Sequence, residues 1–237
     1  MSRVRRWKGY YTDGIETVCE HTIQQLMIVR DLFDLEMEYG SPRGLDEVLL
    51  LRCALIHDNG EGVQGWDAPE PLKRHSVIGP ALQQMEDDAM REGIIKPMPI
   101  RLAERLERDY ALSGDLVSRN GRFFRASEVV GYTIRAVQQY RIGKNDPSSI
   151  ARRLGYEVFV TQYENLWGWA DEFASVRIMF DQFREEVEDA LCNDEACVAY
   201  AAKVGKSDAI RAQIAARYGS PYVAGTVDKM VRRATED

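Results

Sequence analysis

The segment Leu49 to Ile56 is a nearly unbroken apolar run, interrupted only by Arg52. A helix that is apolar around its whole circumference belongs in the centre of a protein, so we predict a central, buried helix over about 45–57. The run ends at the pair His57-Asp58, and Glu61 follows one helical turn later. These polar side chains would therefore lie at the wall of a pocket.

Helical spacing of apolar residues recurs along almost the whole chain, and we find no sustained alternation of the kind that marks strands. We therefore predict an all-α fold. The first helix should run over about 18–38, with Ile23, Leu26, Met27, Phe33 and Met37 on its apolar stripe. Further helices are predicted at about 76–92, 100–110, 126–140, 147–154, 195–204, 207–218 and 223–233, and one long helix at about 164–191. The Gly- and Pro-rich stretch 60–71 is predicted to be a loop that holds substrate.

Charge and hydropathy exclude several classes of partner. The 237 residues include 31 Lys and Arg against 38 Asp and Glu, a net charge of -7. Broad electrostatic capture of duplex nucleic acid or of an anionic membrane is not expected at this charge. The start of the chain is basic but has no apolar stretch after it, and no window approaches eighteen apolar residues. We expect a cytoplasmic protein that takes a small ligand.

His57 and Asp58 can both ligate one divalent cation if the helix frays where it ends. His21, at the start of the first predicted helix, supplies a third ligand, and this nitrogen and oxygen set suits Mn, Co, Fe, Zn or Ni rather than calcium. Water bound to such an ion becomes a usable nucleophile. Glu61 shares the face of His57 and Asp58 if the helix persists, and is the candidate general acid or base. The alternative is a solvated His21 and an ordinary helix end followed by a turn at 58–60.

Several motifs follow one another in a specific order. They are Arg6-Trp7, then Glu-x-Val-x-Glu-His at 16–21, His-Asp-x-x-Glu at 57–61 and Pro-x-Pro-x-Lys at 69–73. In this order they resemble the HD-domain metal-dependent phosphohydrolases. More narrowly, they are similar to the bacterial 5′-deoxynucleotidase branch and the related phage deoxynucleoside triphosphohydrolases. The resemblance is good over about the first 75 residues and weaker to about residue 145. The family loop reads Gly-Asp-x-Pro-x-Pro-x-Lys, and the counterpart here at 65–73 carries Trp66 as one extra residue.

The resemblance implies an all-α HD-domain helical bundle over 1–145, with a helical extension over 146–237 packed on it as one continuous domain. It also implies a fourth metal ligand, an Asp in an Ala-Asp pair followed by a tyrosine. The counterpart here is Ala126-Ser127-Glu128 with Tyr132, so that Ser127 stands at the aspartate position. Glu128 could reach the ion by a shift of one residue, or Asp115 could substitute; otherwise three protein ligands remain.

Substrate contacts are also implied by the resemblance. Arg6 would contact phosphate and Trp7 would pack on the sugar or base, roles that suit a guanidinium fork and an indole face. Lys73 would neutralise a phosphate, and Asp67 would accept a hydrogen bond from the sugar 3′-hydroxyl. The alternatives are a solvated basic tail with Trp7 in the core, an ordinary helix approach at Lys73 and a turn at Asp67.

We therefore predict a phosphohydrolase that needs one divalent metal ion (Mn, Co, Fe, Zn, Ni or Mg). It would act on a deoxynucleotide, either a 5′-monophosphate or a triphosphate, by attack of metal-bound water with Glu61 as proton relay. The rivals are another HD phosphohydrolase, such as a phosphodiesterase or an alarmone hydrolase, and a degenerate HD fold that binds a nucleotide or a protein without hydrolysis. The C-terminal third could form a homodimer interface or cover the pocket.

Overall fold

The computed structural model describes residues 17–66, 68, 70–73, 75–146 and 148–218, and over these ranges it contains helices and no strand. The predicted all-α class is confirmed. The α-helices are α1 Val18–Tyr39, α2 Glu47–Ile56, α3 Asn59–Gln64, α4 Glu70–Lys73, α5 Ile78–Met90, α6 Ile100–Ala111, α7 Arg119–Gly143, α8 Ile150–Glu172, α9 Ala174–Asp181, α10 Arg184–Asn193, α11 Glu195–Lys203 and α12 Ser207–Tyr218. A π-helical turn, Arg91–Ile95, extends α5, and a short 3-10 helix, Leu112–Gly114, follows α6.

α1 begins with a reciprocal cap. The Thr17 hydroxyl accepts a hydrogen bond from the Glu20 backbone N–H, and the Glu20 carboxylate accepts one from the Thr17 backbone N–H at 2.7 Å. Two N–H groups at the helix start, which have no partner within the helix, are satisfied in this way. Because the cap joins residues three positions apart, the start of α1 is fixed by local sequence.

The buried face of α1 is more polar than predicted. Its members are Val18, His21, Thr22, Gln25, Val29, Leu32, Phe33 and Glu36. Ile23, Met27 and Met37 were predicted on the apolar stripe but are each at least half exposed. The predicted stripe is wrong at these three residues, while Phe33 is buried as predicted. The prediction counted only apolar residues, whereas α1 turns a row of polar side chains inwards. That row includes the candidate ligand His21.

α2 is less central than its apolar run predicts. It begins where the Asp46 carboxylate accepts a hydrogen bond from the Leu49 N–H at 3.0 Å. It buries Leu50, Cys53 and Ala54, but Leu55 on its other side is 45% exposed. A helix that is apolar all round does not reveal in its sequence which side will be buried. For α2 this depends on packing against neighbours such as α1 and α6.

The stretch 60–71 was predicted to be a loop, and this is wrong over α3 and α4. α3 ends at Gly65, whose φ of +72° is a conformation that glycine adopts without strain. Gly60 allows the start of α3 to lie directly against the backbone of α5, because a Cβ there would be 2.5 Å from the carbonyl oxygen of Glu86. Glycine here serves close packing between helices and not only a turn.

The single long helix predicted over 164–191 is also wrong. α8 ends and α9 begins at Phe173, whose backbone is extended (φ -123°, ψ 121°), and a second break precedes α10 at Phe183. Both phenylalanines are buried, so the apolar spacing continues across the breaks. Neither break carries the Gly or Pro that would have marked it in the sequence. The predicted helix at 223–233 lies outside the described residues.

The chain divides into two compact units at Gly131 and Tyr132, within α7. In the first unit, Met90, Ile95 and Tyr110 form a buried cluster against which Ile56 packs. In the second unit, α8 is the element that contacts α9, α10, α11 and α12. Over the described ranges, no helix combines the length and the hydropathy needed to cross a membrane.

Candidate metal centre

Three side chains of the first unit direct their ligand atoms towards one another. The Nε2 atoms of His21 and His57 are 3.4 Å apart. Oδ2 of Asp58 lies 3.5 Å from Nε2 of His21 and 3.4 Å from Nε2 of His57. Both imidazoles are buried, and the Asp58 side chain is 16% exposed. Within the described part of the chain, the histidine and acidic side chains placed closely enough to share one ion are His21, His57 and Asp58.

The junction between α2 and α3 makes this convergence possible. α2 ends at Ile56 and is capped by His57, while Asp58 leaves the helical conformation (φ -100°, ψ 12°) and begins α3. Neighbouring residues in a regular helix point in different directions. The bend at Asp58 instead brings its carboxylate to the same point as the His57 ring.

Local contacts fix the orientation of the His57 ring. Its Nδ1 lies 3.0 Å from the carbonyl oxygen of Ala54, so Nδ1–H donates there and Nε2 keeps its lone pair. The edge of the Phe124 ring packs on the imidazole at a centroid distance of 5.4 Å. The backbone of α2 thus sets the tautomer needed for metal ligation, and packing from α7 fixes the orientation of the ring.

The spacing of the three atoms fits a transition-metal ion. Ligand atoms about 2.1 Å from a common ion and separated by 3.4–3.5 Å would subtend about 110°, the angle of a tetrahedral site. Two imidazoles and one carboxylate also suit Mn, Fe, Co, Ni or Zn. The residues present therefore fit a divalent metal ion, and three protein ligands leave coordination positions for other ligands.

Ser127, which stands where the resemblance places a fourth ligand, is engaged by other residues. Its hydroxyl donates to the carbonyl oxygen of Phe124 at 2.6 Å and accepts a hydrogen bond from Nε2 of Gln25 at 2.7 Å. Gln25 and Ser127 are both fully buried. Gln25 lies one helical turn after His21 on α1. The hydrogen-bonded pair Gln25 and Ser127 therefore lies one layer away from His21, between α1 and α7.

Neither predicted substitute joins the group of three ligands. Glu128 is buried, and its carboxylate accepts a hydrogen bond from Arg125 at 3.1 Å. Asp115 accepts hydrogen bonds from the N–H groups of Val117 and Ser118 ahead of α7, and the side-chain and backbone contacts with Ser118 lower the pKa of its carboxyl group. The geometry thus assembles a set of three protein ligands, and ligation by Glu128 or Asp115 remains a prediction.

Glu61 and Lys73 form an ion pair beside the ligand-bearing junction. Glu61 is buried on α3, and its Oε1 lies 2.5 Å from Nζ of Lys73 on α4. The same ammonium lies 3.7 Å from Oε1 of Glu86 on α5. Lys73 was predicted to neutralise a phosphate, and the structure places its charge against a carboxylate of the protein. Three other predicted substrate contacts, namely Arg6, Trp7 and Asp67, lie outside the described residues.

Cys53 lies one turn before His57 but is not in the group of three ligand atoms. Burial, followed by the negative charges of Glu128, Asp109 and Asp58, raises the pKa of its thiol well above the ordinary value. The thiolate is the form of cysteine that binds metals. A neutral, buried Cys53 is therefore part of the packing of α2.

Three residues around the centre were missed by sequence reasoning. Gln25 could have been found, because it lies four residues after His21 and therefore on the same helical face. Phe124 and Glu86 gave no local signal, since their contacts with His57 and Lys73 join segments far apart in the chain. These contacts depend on how α5 and α7 pack.

Comparison with known proteins identifies a family and a similar fold. The family model described as 5′-deoxynucleotidase YfbR-like matches residues 1–165. Among solved structures, the chain is similar to an HD-domain phosphohydrolase from Listeria innocua, with a TM-score of 0.57 and 18% identity, covering 88% of this chain and 91% of that one. At this identity the likeness shows a shared fold. No curated protein sequence matched the chain.

Proposed function

Because this chain belongs to the YfbR-like 5′-deoxynucleotidase family, we propose that it hydrolyses the phosphate ester of 5′-deoxynucleoside monophosphates. The proposal includes one divalent metal ion held by His21, His57 and Asp58. The observation that carries it is the convergence of three ligand atoms, each within 3.5 Å of the other two, at one point of the first unit.

A divalent ion at this point would polarise a phosphoryl oxygen and make water a stronger nucleophile. The protein contributes orientation and charge. The Ala54 carbonyl favours the His57 tautomer that leaves Nε2 free to ligate, and Phe124 holds the orientation of the ring. Asp58 adds one negative charge to the two neutral imidazoles, which strengthens the attraction for a cation.

Glu61 is the proposed proton carrier. Its carboxylate is buried, and the ammonium of Lys73 at 2.5 Å favours the charged form that can accept a proton. In the proposal Glu61 accepts the proton released by the attacking water and returns it to the leaving sugar oxygen. Arg6, Trp7 and Asp67 remain the proposed contacts for phosphate, base and sugar, with Lys73 offsetting charge close to Glu61.

The experiment that tests the function measures products from a panel of deoxynucleoside mono- and triphosphates, with ribonucleotides for comparison, in Mn or Co. Release of inorganic phosphate from monophosphates is the expected result. Release of triphosphate from deoxynucleoside triphosphates would instead support the triphosphohydrolase reaction. Nucleotide binding with no product under any metal loading would support the binding module and contradict the proposal.

Glu61→Ala tests the role of the proton carrier. Turnover should fall by about 100-fold to 10 000-fold, the range for loss of a general acid or base, while metal content stays at the wild-type level. Glu92→Ala is the matched control, because Glu92 is 66% exposed in its ion pair with Lys96 and should leave turnover unchanged. Wild-type turnover in Glu61→Ala would remove Glu61 from the mechanism.

A further inference from the structure

Glu86 lies beside the ion pair of Glu61 and Lys73, although no motif in the sequence includes it. One ammonium is placed between two carboxylates, 2.5 Å from Oε1 of Glu61 and 3.7 Å from Oε1 of Glu86. The side chains of Glu61, Glu86 and Lys73 are 4%, 15% and 29% exposed. Lys73 is thus the most exposed member of the cluster, and its ammonium lies between the more deeply buried carboxylates of Glu61 and Glu86.

The backbones that carry these three side chains are in direct contact. Gly60, next to Glu61, lies so close to α5 that a Cβ would be 2.5 Å from the carbonyl oxygen of Glu86. Gly79, on the first turn of α5, lies equally tightly against the carbonyl oxygen of Lys73. Substitution at either glycine would force the helices apart. The packing of α5 thus fixes where Glu86 stands relative to both α3 and α4.

We propose that Glu86 is a positioning residue, which holds the ammonium of Lys73 against Glu61; this inference rests on the proposed function. Lysine carries a point charge on a flexible four-carbon stem, and one carboxylate partner leaves that stem free to pivot. A second carboxylate on a different helix restricts the ammonium to one place. In this proposal the main role of Lys73 is to orient Glu61, and attracting phosphate is secondary.

Kinetics of Glu86→Gln and Glu86→Asp test the proposal. Glu86→Gln keeps the size and removes the charge, and should lower kcat by about tenfold, in line with the cost of small displacements in a catalytic site. KM and metal content should stay within about twofold of wild type, because no ligand or substrate contact is removed. Glu86→Asp keeps the charge and should recover part of kcat. Glu92→Gln, which removes an exposed carboxylate from the neighbouring pair with Lys96, should match wild type.

A second measurement does not depend on turnover. Brief reaction with acetic anhydride, followed by mass spectrometry of peptides, reports how accessible and nucleophilic each lysine is. Glu86→Gln should raise the labelling of Lys73 several-fold and leave Lys96 unchanged, and Glu92→Gln should do the reverse. This experiment separates the two proposals: a wild-type protein that hydrolyses no deoxynucleotide would overturn the function, while labelling still decides whether Glu86 holds Lys73.

Three results would overturn the inference. Labelling of Lys73 that is unchanged in Glu86→Gln would show that Glu86 does not hold it. A lower KM at unchanged kcat would show that the released lysine binds phosphate and does not position Glu61. A loss of activity that follows a loss of thermal stability and is not recovered in Glu86→Asp would show a purely structural role.

Discussion

The two units of the molecule both bury charged side chains, but they satisfy them in different ways. In the second unit, Asp194 accepts hydrogen bonds from Nε and Nη2 of Arg152 at 3.0 and 2.7 Å and from the hydroxyl of Tyr140 at 2.7 Å. It also caps α11 through the N–H groups of Ala196 and Cys197. In the first unit, His21, His57 and Asp58 turn their ligand atoms towards a common point.

The pKa of Asp194 shows how complete its set of partners is. Burial alone opposes ionisation, but the hydrogen bonds from Tyr140, Arg152 and the Cys197 N–H outweigh it and lower the pKa of the carboxyl group. Glu188 in the same unit is the opposite case: burial raises its pKa despite a hydrogen bond from Tyr163. A buried charge that the chain itself satisfies stabilises the fold, whereas ligand atoms that converge on one point suit an ion from outside.

The largest effect is expected for loss of a candidate metal ligand in the first unit. His57→Ala should lower turnover by about 1000-fold or more, because the ion and its several kcal/mol of charge stabilisation are lost, and should abolish stoichiometric metal binding. Metal analysis of the purified protein, together with phosphate release, measures both. His75→Ala is the matched control, since His75 is exposed and is not in the group of three. Retention of metal in His57→Ala would contradict the assignment of the centre.

Asp194→Ala should affect stability where His57→Ala affects chemistry. Loss of this carboxylate leaves Arg152 without its main partner and should lower the free energy of unfolding by about 3 kcal/mol. Urea unfolding followed by circular dichroism measures this, and turnover per folded molecule should be unchanged. Asp171→Ala removes a carboxylate that is 53% exposed in its pair with Arg217 and should cost less than about 1 kcal/mol. Equal losses in the two variants would contradict the comparison.

Ser127→Asp should make the stability of the first unit more dependent on bound metal. The new carboxylate would lie one layer from His21, next to Gln25, and should tighten metal binding by about tenfold, the effect of one added favourable interaction. It should also destabilise the metal-free protein, since it buries a charge. Calorimetric titration with Mn or Co measures the affinity, and Ser127→Asn supplies the neutral control. Unchanged affinity in Ser127→Asp would show that position 127 does not face the ion.

The pH dependence of stability should show the smallest effect. Because the folded-state pKa of Asp194 is lowered, its contribution is fully present above the ordinary Asp value of about 4 and is lost as pH falls below it. Asp194→Asn should lack this part of the acid transition, so its stability should fall less steeply than that of the wild type between about pH 4 and pH 2. Parallel acid titrations by circular dichroism would test this, and identical slopes would contradict it.

Much of the candidate site could be predicted from the sequence because its signals are local. The order of the motifs around His21, His57 and Asp58 indicated a metal centre, and the cap of Thr17 and Glu20 that fixes the start of α1 is likewise local. The family model supports the phosphohydrolase class to which those motifs point. Thr17 and Glu20 lie within a few positions of each other along the chain. His21, His57 and Asp58 belong to a pattern of motifs that is visible in the sequence alone.

Tertiary structure decided the rest. The breaks at Phe173 and Phe183, the polar buried face of α1 and the contact of Gln25 with Ser127 arise from helices that meet only after folding. The same is true of the position of Lys73 between Glu61 and Glu86, while its contact with phosphate stays a prediction. Sequence determined which side chains could carry the chemistry. Packing determined which of them meet, because the energy of burying a polar group depends on neighbours that no local pattern records.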